Sequence, residues 1–104
     1  MSNQAHHILD ALGDRTRREI VERLRSGPLA VGELAARVSV GRPAVSKHLR
    51  VLEGAGLVTH ASVGTRNLYA LAPDGLAALQ VWLAQTWDLT LAAFAARVRE
   101  KSTS

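Results

Sequence analysis

Between Pro73 and about Arg99 an apolar residue recurs every three or four positions: Leu76, Leu79, Leu83, Trp87, Leu91, Phe94 and Val98. That rhythm is the period of an α-helix and not of a strand. Pro73 and Asp74 fit its first turn, where a missing N–H is harmless and a negative charge is favoured. At ~1.5 Å per residue the helix is about 40 Å long, more than the core of one small domain can cover. The whole chain has 104 residues, which reads as one domain, 1–104, with a single modest core. Whatever fold it adopts must therefore accommodate a helix that outruns its own domain.

Composition narrows the partners. Hydrophobic residues make up 47% and charged residues 21%, the balance of a globular chain rather than a disordered one. There are no cysteines, which excludes disulfides, thiolate metal sites and a cysteine nucleophile. The segment Met1 to Ile8 lacks the apolar core of a signal peptide. The longest run without Asp, Glu, Lys or Arg, Gly75–Trp87, falls short of the ~20 residues of a spanning helix. A cytoplasmic protein without a membrane partner is expected. The net charge of +4 favours an anionic partner. Its distribution is uneven: Arg42, Lys47, Arg50 and Arg66 face one acid, Glu53, between Ser39 and Arg66, whereas Leu71–Ala96 holds only Asp74 and Asp88.

The pieces before the long helix are short. Ile8, Leu9 and Leu12 suggest a first helix stopping at Gly13, and Asp14 is placed to cap a second one running to about Arg25. Gly27-Pro28 ends that helix, and a third spans about Val31 to Arg37. In the fourth, Arg42 to Ala55, the residues Val45, His48, Leu49 and Leu52 share an arc of about 100°. Arg42, Pro43, Ser46, Lys47 and Arg50 fall on the opposite side. Strands Leu57–Ser62 and Arg66–Leu71 then flank Val63-Gly64-Thr65, a hairpin turn in which Gly64 supplies positive φ. The order gives a mainly α chain with a small β-hairpin, a winged helix-turn-helix: helix-turn-helix at 31–55, wing at 57–71, long helix at 73–99.

At these residues the sequence resembles the ArsR/SmtB family of bacterial winged-helix repressors. The resemblance lies in Leu12-Gly13-Asp14-Arg15-Thr16-Arg17-Arg18, in Gly32-Glu33-Leu34-Ala35, and above all in Arg42-Pro43-Ala44-Val45-Ser46-Lys47-His48-Leu49-Arg50-Val51-Leu52. Gly56-Leu57-Val58 and the wing strand Arg66-Asn67-Leu68-Tyr69-Ala70-Leu71 complete it, so that Ile8 to Val98 is covered. The resemblance implies a homodimeric repressor with helix four in the major groove, a wing on the backbone or minor groove, and dimerisation through the first and last helices. Two departures stand out. Many metal-sensing members carry a Leu-Cys-Val-Cys-Asp-Leu type motif where this chain has Leu29-Ala30-Val31-Gly32-Glu33-Leu34. Others place histidine and carboxylate ligands on the last helix, where this chain has Asp74 and Asp88 and no histidine. The pattern is that of the metal-independent branch, with neither metal nor cofactor. Gly41 also stands where Ser is common before helix four, a change of only a few tenths of a kcal/mol at an N-cap.

Arg42, Pro43, Ser46, Lys47 and Arg50, with Thr65 and Arg66 at the wing, are the candidate contacts to double-stranded DNA. Cations hold phosphate, and arginine also forks onto guanine edges. Arg42, Ser46 and Lys47 lean toward bases because recognition helices enter the groove N-terminus first. Arg66 suits a phosphate or the minor groove. Arg15, Arg17 and Arg18 are open between backbone contact and pairing with Glu19 or Glu22. His48 reads as a packed, hydrogen-bonded core residue, and His6 and His7 as solvated residues near a terminus. Ser46 and His48, two apart, do not face each other on a helix, so no catalytic pair arises. Trp82 lies about 140° around the helix from Trp87, on a second apolar flank with Leu89 and Ala93. The main stripe is assigned to the subunit's own core. The second flank, through Trp82 and Leu89, is assigned to a second copy, with Ile8 and Leu12 helping from helix one. The reading is a dimeric repressor on a roughly palindromic operator; the alternative is a winged-helix dimerisation or protein-interaction module that does not bind DNA.

Overall fold

Two caps organise the first third of the chain in the computed structural model, which describes residues 3–103. Asp14 accepts a hydrogen bond from the Arg17 backbone N–H at 2.9 Å, starting helix α2 (Arg15–Leu24) where the sequence places it. Helix α1 (Asn3–Ala11) begins earlier than the apolar pattern marks, since its first turn buries only the small Ala5. Its last carbonyls are closed by arginines of the next helix. Arg17 Nε donates to the Ala11 carbonyl at 2.6 Å and an Arg18 nitrogen to the Leu12 carbonyl at 2.7 Å. A C-terminal helix end favours such cations.

A two-residue strand β1 (Leu29–Ala30) runs into α3 (Val31–Ala35), and after a turn comes α4 (Arg42–Gly54). Strands β2 (Val58–Val63) and β3 (Arg66–Leu71) precede α5 (Pro73–Thr103). The sheet is antiparallel in the order β1-β3-β2, with Leu29 opposite Tyr69 and Val63 opposite Arg66. Gly64 has φ +63° and no described non-glycine residue has positive φ, the pattern of a type II′ turn with glycine first. Ile8, Ile20, Leu34, Val45, Leu49, Leu52, Leu57 and Val58 form the core. Each is between 0 and 2% exposed.

The long helix enters this body at one point. A Cβ added to Gly75 would lie 1.9 Å from the Gly56 carbonyl oxygen, so only glycine lets the first turn of α5 rest on the α4–β2 corner. Ala78 and Leu79 pack against the core, and α5 leans on α1. Beyond that the helix leaves its own domain. The radius of gyration is 18.3 Å, against ~13 Å for a compact chain of about 100 residues.

Beyond Leu79 the main stripe of α5 is not absorbed by its own core. Leu83 is 51% exposed, Trp87 65% and Phe94 64%. Trp82, assigned to a partner, is half-buried, and its ring meets His6 of α1 edge-on with centroids 6.5 Å apart. Ile8, expected at the same interface, is fully enclosed within its own subunit and has no surface to offer. Leu12 is half-buried against that core, and Leu89 is 74% exposed. The period of α5 correctly marks a helix; its length, not its period, decides which turns the domain reaches.

Candidate nucleic-acid interface

Helix α4 is held from behind. Val45, Leu49 and Leu52 are fully buried, which fixes the rotation of the helix and turns the other arc to solvent. Arg42, Pro43, Lys47 and Arg50 are exposed there, and Ser46 is half-buried between them. Gly41 serves as N-cap without a side-chain bond, and Pro43 sits in the first turn. The N-terminal N–H groups of α4 are thus presented at the same end as Arg42, where the partial positive charge of a helix start adds to the cation.

His48 lies at the edge of the buried arc, half-buried rather than enclosed. Arg17 Nη1 donates toward its Nδ1 over a long 3.5 Å. Guanidinium nitrogens only donate, so this contact requires an unprotonated Nδ1. Arg17 therefore ties the end of α1 to the middle of α4. With Arg17 and Arg18 on α1 carbonyls, the choice left open by sequence falls on a third role, helix capping, for both.

The wing is joined to α3, beside this surface, through an ion pair. Arg66 Nη2 donates to Glu33 Oε1, and the same oxygen accepts the Ala30 backbone N–H at 3.0 Å. The Glu33 carboxyl is held below the ordinary glutamate value, chiefly by that Ala30 N–H and then by the charges of Arg66 and Arg37. Arg66 is consequently not a free cation at the wing tip. Thr65 and Val63 are exposed there, and Ser62 Oγ donates to Asn67 Oδ1 across the hairpin at 2.9 Å. A shallow groove runs between helix and wing, lined among others by Gly32, Glu33, Arg42, Thr65 and Arg66. Arg42 reaches across it: its Nη1 is 3.9 Å from where a Gly32 Cβ would be.

On the other side of the hairpin, Glu53 at the end of α4 pairs with His60 Nδ1 on β2, whose ring lies 5.2 Å from that of Tyr69. The C-terminal end of α4 is thus tied to the sheet. The structure brings Arg42, Thr65 and Arg66 to one groove, leaves Ser46, Lys47 and Arg50 on the solvent side of α4, and has Trp82 and Leu89 on α5. Glu33, which the sequence marks only as part of a motif, is the residue that joins the wing to α3. The signal for half of its role was local, a glutamate three residues after a helix-start position. Its partner Arg66 is 33 residues away and left no such trace.

A short turn between α3 and α4, a solvent-facing cationic arc on α4 and a hairpin beside it define a winged helix-turn-helix protein. The family model described as "Bacterial regulatory protein, arsR family" matches residues 14–60. The HTH-type transcriptional regulator Rv2034 of Mycobacterium tuberculosis is 56% identical over 82% of this chain and 79% of its own length. The transcriptional repressor SdpR of Bacillus subtilis is 29% identical over 64% of this chain and 73% of its own. Among solved structures, the homodimeric winged helix-turn-helix DNA-binding domain of Mb0332 from Mycobacterium bovis superposes with a TM-score of 0.68 and 28% identity. That match covers 86% of this chain and 82% of the other. The chain belongs to the arsR family of bacterial regulatory proteins, a family of transcriptional regulators rather than enzymes.

Proposed function

We propose that residues 1–104 act as one unit, a homodimeric transcriptional repressor that binds a roughly palindromic DNA operator through α4 and the wing. The observation that carries this is the exposed arc of α4, where Arg42, Lys47 and Arg50 face solvent while the opposite arc is sealed in the core. Arg42, Pro43, Ser46 and Lys47 lie in its N-terminal half, the part of a recognition helix that meets base edges in the major groove. Arg50, farther along, suits the phosphate backbone. Thr65 and Arg66 face the neighbouring backbone or minor groove from the wing.

The exposed apolar turns of α5 supply the dimer. A stripe from Leu83 through Phe94, with Leu89 on its flank, is more apolar surface than a monomer ordinarily leaves to water. Closing it against a second copy by two-fold symmetry can set two α4 helices ~34 Å apart, one duplex turn. The homodimeric domain of Mb0332 supports that assembly, and the repressor SdpR supports the sense of regulation. Ala30 and Gly32 carry no donor, and no group of three His, Cys, Asp or Glu among the described residues could hold a metal ion. No helix among them is long and apolar enough to cross a membrane. This reading uses neither Ala30 nor Gly32 as a metal ligand, and it places the protein in the cytoplasm because its partner there is DNA.

The test is a titration of the protein against duplex DNA from its own upstream region over a range of salt. If each of the three α4 cations per subunit displaces one condensed counterion as it enters the groove, about six per dimer, the slope of log K against log salt is near −5. A flat response, with no preference over bulk DNA, favours the interaction-module alternative, which leaves the α4 cations without a role.

A further inference from the structure

The wing of a DNA-binding protein is expected to present positive charge, yet here its arginine is already paired. Arg66 lies on Glu33, and Glu33 in turn is anchored by the Ala30 backbone N–H at the junction of β1 and α3. That junction belongs to the wing's own sheet, since Ala30 pairs with Leu68 on β3. The two ends of the ion pair are therefore brought together by the fold and not by chance of side-chain wandering. The same groove contains Arg42, the first cation of α4.

We propose that Glu33 is a positioning residue of the DNA interface that neutralises the wing: it holds Arg66 beside α4 while cancelling its charge. The proposal rests on the DNA-binding reading above and deepens it. An arginine has five N–H donors, and the Glu33 carboxylate engages one of its nitrogens, so donors remain for a phosphate or a minor-groove acceptor. The pair contributes no net charge, so the wing adds geometry without adding non-specific attraction. Sequence-independent binding scales with the number of phosphates neutralised, and a regulator must find its site among a vast excess of other DNA. A silenced wing leaves discrimination to α4. Glu33 remains ionised throughout the neutral range, because the Ala30 N–H and the two nearby arginines favour its charged form.

Glu33→Gln tests this with little disturbance of the fold, since the amide oxygen still accepts from Ala30 N–H and from Arg66. The variant is compared with the wild type by salt titration on operator duplex and on unrelated duplex. With one uncancelled cation per subunit, the slope steepens by about two per dimer, and affinity for unrelated duplex at low salt rises about tenfold or more. The ratio of operator to unrelated binding falls. Arg66→Ala added to Glu33→Gln returns the slope to the wild-type value. A slope unchanged by Glu33→Gln, or affinity lost equally on both duplexes, overturns the proposal and leaves Glu33 a simple brace. If the wild-type protein binds no duplex, the DNA-binding reading itself fails and takes this one with it.

Discussion

On α4 the apolar positions Val45, Leu49 and Leu52 have no exposed surface, whereas on α5 Leu83, Trp87, Leu91 and Phe94 are between 47 and 65% exposed. Both segments are helices with a regular apolar stripe. They differ in what lies within reach. Helix α4 is 13 residues long and sits inside the arc of α1, α2, α3 and β2, so its stripe is satisfied at home and its cationic side is left over. Helix α5 has 31 residues, and among the described residues those of it that pack on the core, Ala78 and Leu79, lie in its first two turns. Its surplus is apolar. One helix is thus complete and leaves charge exposed, and the other is incomplete and leaves apolar surface exposed; the proposed function gives the first to DNA and the second to another copy of the chain.

The largest expected effect separates the two stripes directly. Leu49→Ala opens a cavity in a sealed core and should lower unfolding stability by ~2–5 kcal/mol in denaturant titrations. Leu91→Ala, measured at concentrations where the protein is monomeric, should lower it by less than ~1 kcal/mol. Equal losses in the monomer would erase the comparison, since Leu91 would then be packed within its own subunit.

Next in size is Trp87→Glu. A charge in the middle of the α5 stripe should weaken self-association about a hundredfold, or ~2.7 kcal/mol, in sedimentation equilibrium. Monomer secondary structure should be intact, because that position is solvated before association. Trp82→Glu should do less to association and more to the α1–α5 contact, because Trp82 already rests on His6.

Arg42→Ala addresses the charged side. Removing it should reduce discrimination between operator and mismatched duplex by ~1–3 kcal/mol while leaving dimerisation unchanged. Loss of dimerisation in this variant would show that the two helices do not divide the work.

The smallest effect concerns what steadies α4 from within its own subunit. The Asp14 carboxyl is held below its ordinary value, chiefly by the Arg17 backbone N–H, and it starts the helix from which Arg17 reaches His48. A depressed carboxyl pKa contributes stability that is fully present above the unfolded-state value and lost as pH falls through the folded-state value. Thermal unfolding of wild type and Asp14→Asn should therefore run parallel from neutral pH down to about pH 4. Below that the wild type should lose stability relative to the variant, whose amide cap does not titrate.

How legible was this in the sequence? Elements specified by neighbours could be read: the Asp14 cap, the Arg42–Gly54 helix, the Gly64 turn and the Pro73 start of α5 all stand where local chemistry puts them. Strand β1 leaves no signal in the sequence because two residues carry no period, and Leu29 and Ala30 become a strand through Tyr69 and Leu68. The third helix is shorter than expected, ending at Ala35 before the turn to α4. At the candidate interface, the outward arc of α4 was readable from its angles. The pairing of Arg66, the capping by Arg17 and Arg18, and the close approach of Gly75 to Gly56 depend on distant chain meeting distant chain. Beyond Leu79 the stripe of α5 departs from the sequence expectation for a similar reason: periodicity identifies an apolar face but not what lies within its reach.

The division between a helix for DNA and a helix for the second copy is tested most directly by footprinting the protein on its own upstream DNA, with wild type and Trp87→Glu side by side. The account predicts that the wild type protects two half-sites centred about 10 base pairs apart on one face of the duplex, related by an approximate palindrome. Trp87→Glu should lose both together at the same protein concentration. A single protected half-site with wild type, or two half-sites still fully protected by Trp87→Glu, would contradict it.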